Sequence, residues 1–319
     1  MPFGDIKGHR VALDLLTGDL RSGKLAGAYF LSGQEGLGKF FAARTFAKAI
    51  NCLSFEADSC GSCSSCRKID KQEHPDVHFL EPEGASEALK IESVRQMQQK
   101  ISLRPYEGKK TVVVIREAHT LTSEAANALL KTLEEPPQHA VFILTSSRQA
   151  LMFKTIVSRC RLVRFAPLQR HALEEILRDD FSVPQPRAHF LAYFSEGRIG
   201  HALALRESSL LEQKNRIIDE FIFSSQGQAG SVKERQDARV VLNVLATWFR
   251  DLYLVKTGLP HSELINLDRR DELLGFINRY GWSALERIIG SISESLFYLE
   301  HNVNTRLLLS NMRAHICQK

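Results

Sequence analysis

The sequence predicts an α/β first half, a parallel sheet wound with helices, and an all-helical remainder. Three observations carry this. Short apolar runs alternate with helix-periodic stretches up to residue 166. One run, Thr111-Val112-Val113-Val114-Ile115, is β-branched with no polar alternation. A strand buried on both faces of a parallel sheet reads that way. After Pro167 only helical periodicity remains.

Residues 8–31 read as a helix and a first strand. Val11, Leu13, Leu15 and Leu16 supply the helix with an apolar face, and Gly27-Ala28 precede the strand Tyr29-Phe30-Leu31. Next comes Gly33-Gln34-Glu35-Gly36-Leu37-Gly38-Lys39, then a helix-like run from Phe40 to Ile50. In this strand–loop–helix setting, G-x-x-x-x-G-K-[ST] cradles a nucleotide phosphate on backbone N–H groups. Four cysteines then interrupt the alternation in 52–66. His74-Pro75-Asp76 marks a turn, and Val77–Leu80 fits a second strand. Ile91, Val94, Met97 and Ile101 recur at helical spacing until Pro105-Tyr106-Glu107-Gly108 ends that helix. Thr122 fits an N-cap for a helix from Ser123 to Glu134. Ala125, Ala126, Leu129, Leu130 and Leu133 share one face of it, and Pro136-Pro137 stops it. Ala140–Leu144 and Leu162–Phe165 complete the strands. The helical half breaks near Val183-Pro184-Gln185-Pro186 and again around Ser224, Gln226, Gly227 and Gly230. The expected division is a first domain at 1–166, a small helical one at 167–208 and a larger helical one at 209–319.

Bulk properties narrow the class. A chain of 319 residues holds two or three domains. With 44% hydrophobic and 25% charged residues it is globular, not disordered. No run is apolar enough to span a membrane. The start, Met1-Pro2-Phe3-Gly4-Asp5, lacks a charged stretch followed by an apolar one, so a cytoplasmic protein is expected. The net charge of +5 admits a nucleic-acid partner without requiring one.

The candidate phosphate loop, Gly33, Gly36, Gly38 and Lys39, can be tested against the needs of an ATPase. Magnesium there is held by a hydroxyl after the lysine and by an Asp at the end of a buried strand. Position 40 is Phe, and the strand Val112–Ile115 runs into Arg116-Glu117. Both expected oxygens are gone, so Mg-ATP hydrolysis is expected to be lost. Nucleotide or anion binding without hydrolysis stays open, because Lys39 and the backbone donors remain. So does a purely structural strand–helix turn. Thr145 and Ser146 are candidates for a polar sensor at a strand end.

Cys52, Cys60, Cys63 and Cys66 follow the spacing C-x7-C-x2-C-x2-C, with small turn-formers between them. Four thiolates on short turns suit a tetrahedral structural zinc, the other reading being free or redox-active thiols. His74 is a further candidate ligand but reads better as a turn residue. Cys160 and Cys317 stand alone, and Trp248 and Trp282 read as packing residues. Arg159, in Ser158-Arg159-Cys160, is on its own terms a solvated or salt-bridged arginine. The neighbouring Arg148, Arg161 and Arg164 make an anionic partner reasonable.

These motifs together resemble the clamp-loader subunits of bacterial DNA polymerase III, members of the AAA+ superfamily. The most specific stretch is Asn127-Ala128-Leu129-Leu130-Lys131-Thr132-Leu133-Glu134-Glu135-Pro136-Pro137. Leu103-Arg104-Pro105-Tyr106-Glu107-Gly108-Lys109, the four-cysteine insertion and Ser158-Arg159-Cys160 also match. The resemblance spans residues 5–208, and returns more weakly from Asn302-Val303-Asn304 to Leu309. It implies a RecA-like AAA+ parallel-sheet module with a zinc insertion, a small helical lid and an all-α collar that assembles subunits into a ring. It implies gamma/tau and delta subunits as partners, with a sliding clamp and primer-template DNA in the assembled complex. It implies zinc on the four cysteines, and that Arg159 acts in trans as an arginine finger on ATP held by a neighbour. Motor subunits of the family carry Lys-Thr or Lys-Ser, Asp-Glu and Gly-x-x-Arg. Here Lys39-Phe40, Arg116-Glu117 and Gly197-Arg198-Ile199-Gly200 stand at those places. The pattern implies a subunit that donates a finger and does not hydrolyse ATP. The alternatives from other classes are an active loader ATPase and a zinc-containing nucleic-acid-binding module.

Overall fold

Five strands, all parallel, make one sheet: β1 (Ala28–Ser32), β2 (Val77–Leu80), β3 (Thr111–Ile115), β4 (Ala140–Ser146) and β5 (Arg161–Arg164). Their spatial order is β2-β3-β4-β1-β5. The molecule is described by a computed structural model covering residues 2–82, 88–224, 235–259, 263–299, 301 and 303–317. Gln226, Gly227, Gly230 and Asn302 lie outside the described residues, as do 83–87.

Period-2 alternation divides the sheet between two cores. Val112 and Val114 of β3 join Tyr29, Leu31, Val141 and Ile143 in one. Val113 and Ile115 join Phe30, Phe142 and Leu144 in the other. All five residues of β3 are buried, which is why its sequence shows no polar alternation. The helices α1 (Arg10–Ser22) and α2 (Lys39–Asn51) cover the first face, through Leu16, Ala42, Ala43 and Phe46. Next in the chain comes α3 (Ser64–Asp70), in the cysteine-rich insertion. The second face is covered by α4 (Ile91–Ile101), α5 (Ser123–Glu134) and the short α6 (Lys154–Val157).

Helix α5 has the predicted bounds, and the Thr122 hydroxyl accepts the Ala125 N–H at 3.2 Å as its N-cap. Of the apolar face expected of α1, Leu16 is buried and Leu13 and Leu15 pack partly buried on the core, but Val11 is corrected. Val11 is 84% exposed, and the buried positions are Ala12, Leu16 and Asp19. With about 3.6 residues per turn, 12, 16 and 19 share a face and 11 falls beside it. The buried Asp19 is paid for by partners: the Tyr29 hydroxyl donates to it at 2.8 Å and Arg161 pairs with it at 2.8 Å.

Six further helices follow by residue 256 and beyond: α7 (Arg170–Asp179), α8 (Gln185–Phe194), α9 (Ile199–Arg206), α10 (Leu210–Ile218), α11 (Arg235–Lys256) and α12 (Arg270–Phe276). Then come α13 (Trp282–Leu299) and α14 (Thr305–Cys317). The chain forms two compact units, one of 1–176 with 195–201 and one of 177–194 with 202–319. The second unit packs around α11, whose Trp248 and Phe249 are fully buried. Trp282 is 43% exposed and stacks edge-on against Tyr253. Buried charge is matched there as well. Lys214 meets Asp268 at 2.6 Å, and Asp251 accepts the N–H groups of Ile265 and Asn266. Among the described residues no helix is long and apolar enough to cross a membrane.

The turn at Pro105-Tyr106-Glu107-Gly108 hangs on one buried carboxylate. Asp76 accepts the N–H groups of Tyr106, Glu107 and Gly108 at 2.6, 2.8 and 2.7 Å. Burial pushes its pKa up, but these three donors outweigh that and hold it below the ordinary carboxylate value. A depressed folded-state pKa means stability that is complete above the unfolded value and lost as pH falls through the folded one. Asp76→Ala is expected to cost about 1–3 kcal/mol in urea unfolding at neutral pH and to flatten the acid limb of the stability profile. An unchanged midpoint and profile would remove this role.

Candidate functional site

The loop 33–38 follows β1 directly, and its glycines 33, 36 and 38 all have positive φ, at 149°, 79° and 80°. Gly38 serves as N-cap of α2. The loop is satisfied by its own chain. Lys39 is 5% exposed, and its ammonium donates to the Gln34 carbonyl at 2.7 Å. Burial lowers the Lys39 pKa, with Glu117 and Glu35 opposing. The Gly36 carbonyl accepts the Gly200 N–H at 2.7 Å. A Cβ at residue 200 would stand 2.9 Å from that carbonyl oxygen, so no side chain fits there without a shift. Gly200 therefore lies against the loop as bare backbone.

Phe40 and Arg116 meet one another. The Arg116 guanidinium lies over the Phe40 ring, 5.0 Å from its centre, and pairs with Glu81 at 2.8 Å. Phe79 packs edge-on against the other side of the site, 5.9 Å from Phe40. A cation–π contact at this exposure is worth about 0.5–1 kcal/mol. A guanidinium and two rings meet here, and none of them offers an oxygen ligand.

Glu117 is occupied too. Its carboxylate accepts the Ser147 N–H and hydroxyl at 2.8 and 2.7 Å and pairs with His119 at 3.2 Å. Burial raises its pKa, but Ser147, Lys39 and His119 together bring it below the ordinary value. Thr145 Oγ1 accepts the Glu117 N–H at 3.3 Å, and Ser146 Oγ lies 3.1 Å from His119. Both candidate sensors are thus engaged with the residues that follow β3.

Arg159 belongs to the other end of the sheet. Arg161 registers with Tyr29, near the start of β1, whereas the glycine loop follows Ser32 at its end. Tyr29 and Ser32 lie three residues apart along β1, roughly 10 Å at about 3.3 Å per residue, and Arg159 and the loop lie beyond those two levels. The guanidinium donates through Nε to Glu134 Oε1 at 3.0 Å, through Nη2 to the same oxygen, and through Nη1 to the Thr155 carbonyl at 2.8 Å. Arg161 is taken by Asp19.

The four cysteines do converge. The Sγ atoms of Cys52, Cys60, Cys63 and Cys66 all lie within 4.8 Å of one another. Backbone N–H groups point at them, from Cys60 to Cys52 Sγ at 3.4 Å, Cys63 to Cys60 Sγ at 3.2 Å and Cys66 to Cys63 Sγ at 3.4 Å. Such donors favour thiolate, the metal-binding form. The Cys63 N–H, with Ser62, draws the Cys60 thiol down to about 5, while burial pushes Cys66 up. Four soft donors on tight turns fit a closed tetrahedral zinc site. The fully buried Lys48 ties α2 to α3 of this insertion through Asp70, at 3.0 Å. His74 is not among the converging groups. Its Nδ1 accepts the Asp76 N–H at 3.1 Å, a turn contact. The sequence signalled the glycines and cysteines through spacing; Glu134 and Phe79 had no such signal.

A family profile described as DNA polymerase III, delta subunit, matches residues 8–169. Another, described as DNA polymerase III, delta subunit, C terminal, matches residues 210–315. The chain is 28% identical over 312 residues to DNA polymerase III subunit delta' of Bacillus subtilis, covering 94% of this chain and 93% of that protein. It is 35% identical over 214 residues to DNA polymerase III subunit tau of Escherichia coli, covering 65% of this chain. That alignment spans 33% of the longer tau protein.

Elemental analysis of the purified chain is expected to find one zinc per molecule. Cys66→Ser should lose it and cost on the order of several kcal/mol of stability, since structural metal binding is coupled to folding. Metal-free protein with wild-type stability would contradict this.

Proposed function

The chain belongs to the DNA polymerase III delta subunit family, and from that premise we propose a division of labour within the clamp loader. It acts as a non-hydrolysing subunit that completes a neighbour's ATP site with Arg159. Its own nucleotide loop, Gly33, Gly36, Gly38 and Lys39, is a degenerate fold element. The partners are tau/gamma and delta subunits, with the sliding clamp and primer-template DNA in the assembled complex. Residues 167–208 and 209–319 serve as lid and collar.

The observation that carries the reading is the separation of Arg159 from its own loop. An arginine side chain reaches far less than the length of β1, so any phosphate Arg159 touches is held by another chain. The filled magnesium positions support the other half. Phe40 and Arg116 offer no oxygen, and Gly36 is bonded to Gly200. The same contacts weigh against the active-ATPase alternative. The nucleic-acid module is less favoured, because Lys68 near the cysteines is already paired with Glu107 at 2.7 Å.

An arginine supplied in trans stabilises charge that develops on the transferring phosphoryl group, and such contacts raise turnover by orders of magnitude. A loader reconstituted with Arg159→Ala in this chain is therefore expected to lose most of its DNA- and clamp-stimulated ATPase, with subunit assembly intact. Wild-type turnover from a fully assembled complex would sink the finger role.

A further inference from the structure

We infer that Glu134 is a positioning residue for Arg159: the last carboxylate of α5 holds the guanidinium by its stem-side edge and leaves an outward N–H on Nη2 for an anion on a neighbouring subunit. This deepens the finger reading and rests on it. It also gives a task to the Leu-Glu-Glu-Pro-Pro stretch, the most specific motif in the sequence, which the nucleotide chemistry does not use.

A guanidinium carries five N–H donors in a rigid plane. Glu134 Oε1 takes the Nε donor and one on Nη2, and the Thr155 carbonyl takes one on Nη1. The other N–H on Nη1 lies 3.4 Å from Ser158 Oγ, one N–H on Nη2 makes no contact of this set, and the side chain keeps 33% exposure. Held this way, the plane is fixed while its tip stays available, the arrangement that suits a group waiting for phosphate oxygens.

Both partners stand on backbone that the core fixes. Pro136 and Pro137 end α5 just after Glu134. Pro136 packs so closely on Gly27 that a Cβ there would stand 2.4 Å from its Cγ, and the Gly27 carbonyl accepts the Phe142 N–H at 2.9 Å. The motif thereby seats the end of α5 against the first strand. Leu133 is buried in the core, which turns its neighbour Glu134 outward. On the other side, the Arg159 N–H donates to the carbonyl of the fully buried Ile156 at 3.1 Å. The two stems therefore begin from fixed points, and the pair selects one orientation of an otherwise flexible arginine.

The test uses the loader reconstituted with this chain as wild type, Glu134→Ala, Glu134→Asp, Arg159→Ala and the Glu134→Ala/Arg159→Ala double variant. Stimulated ATPase is read as kcat and as KM for ATP. Glu134→Ala should lower kcat about two- to fivefold, the range an exposed ion pair supports, with KM unchanged. Glu134→Asp should recover part of the loss. In the Arg159→Ala background the Glu134 substitution should do nothing more, because a positioning residue acts only through the group it positions. A loss of equal size in that background would place the effect in folding or assembly and overturn the inference. So would a kcat that stays at the wild-type level or rises in Glu134→Ala while Arg159→Ala is impaired; the finger reading would then stand alone. An unimpaired Arg159→Ala loader would overturn both.

Discussion

All five strands point the same way, and most of the molecule's chemistry follows from that constraint. In a parallel sheet every strand end lies at one rim and every strand start at the other. The glycine loop, Arg116 and Glu117 follow strand ends and Thr145 and Ser146 close β4, so they gather at one rim. Arg159 precedes β5 and is committed to the opposite rim. No side-chain rotation joins the two sets. Holding a nucleotide and reaching one held elsewhere would be tasks of separate rims in a chain built this way.

The rim that would hold a nucleotide is internally satisfied. Lys39 has the Gln34 carbonyl, Gly36 has the Gly200 N–H, and Glu117 has Ser147. Arg116 lies on Phe40 and pairs with Glu81. Each contact is modest alone. Together they engage the polar groups of this rim within the chain itself. The glycines keep their positive φ because the turn from β1 to α2 still requires it. On the opposite rim Arg159 is held by Glu134 and Thr155 while its side chain stays partly exposed.

Much of this was legible in the sequence. The β-branched run at 111–115, the Thr122 cap and the Pro136-Pro137 stop marked β3 and α5 because their signals are local. The cysteine spacing marked a convergent thiol cluster for the same reason. Phe40 and Arg116 could be read as missing ligands. That they would lie against each other depends on the parallel pairing of β2, β3 and β4, which no local pattern encodes. Val11 was misread because a lone apolar residue at a helix start does not define the face; Ala12, Leu16 and the buried Asp19 do. Asp19 itself was hidden, since its burial depends on Tyr29 and Arg161, ten residues away and in another strand. Glu134 looked like helix-end solvent charge until its arginine was placed beside it.

Whether this chain's own loop carries phosphoryl chemistry is read by assaying the purified chain alone for Mg-ATP hydrolysis. No magnesium-dependent turnover above the buffer rate is expected. Steady turnover that disappears in Lys39→Ala would show that the loop works as an ATPase site and overturn the proposed division of labour.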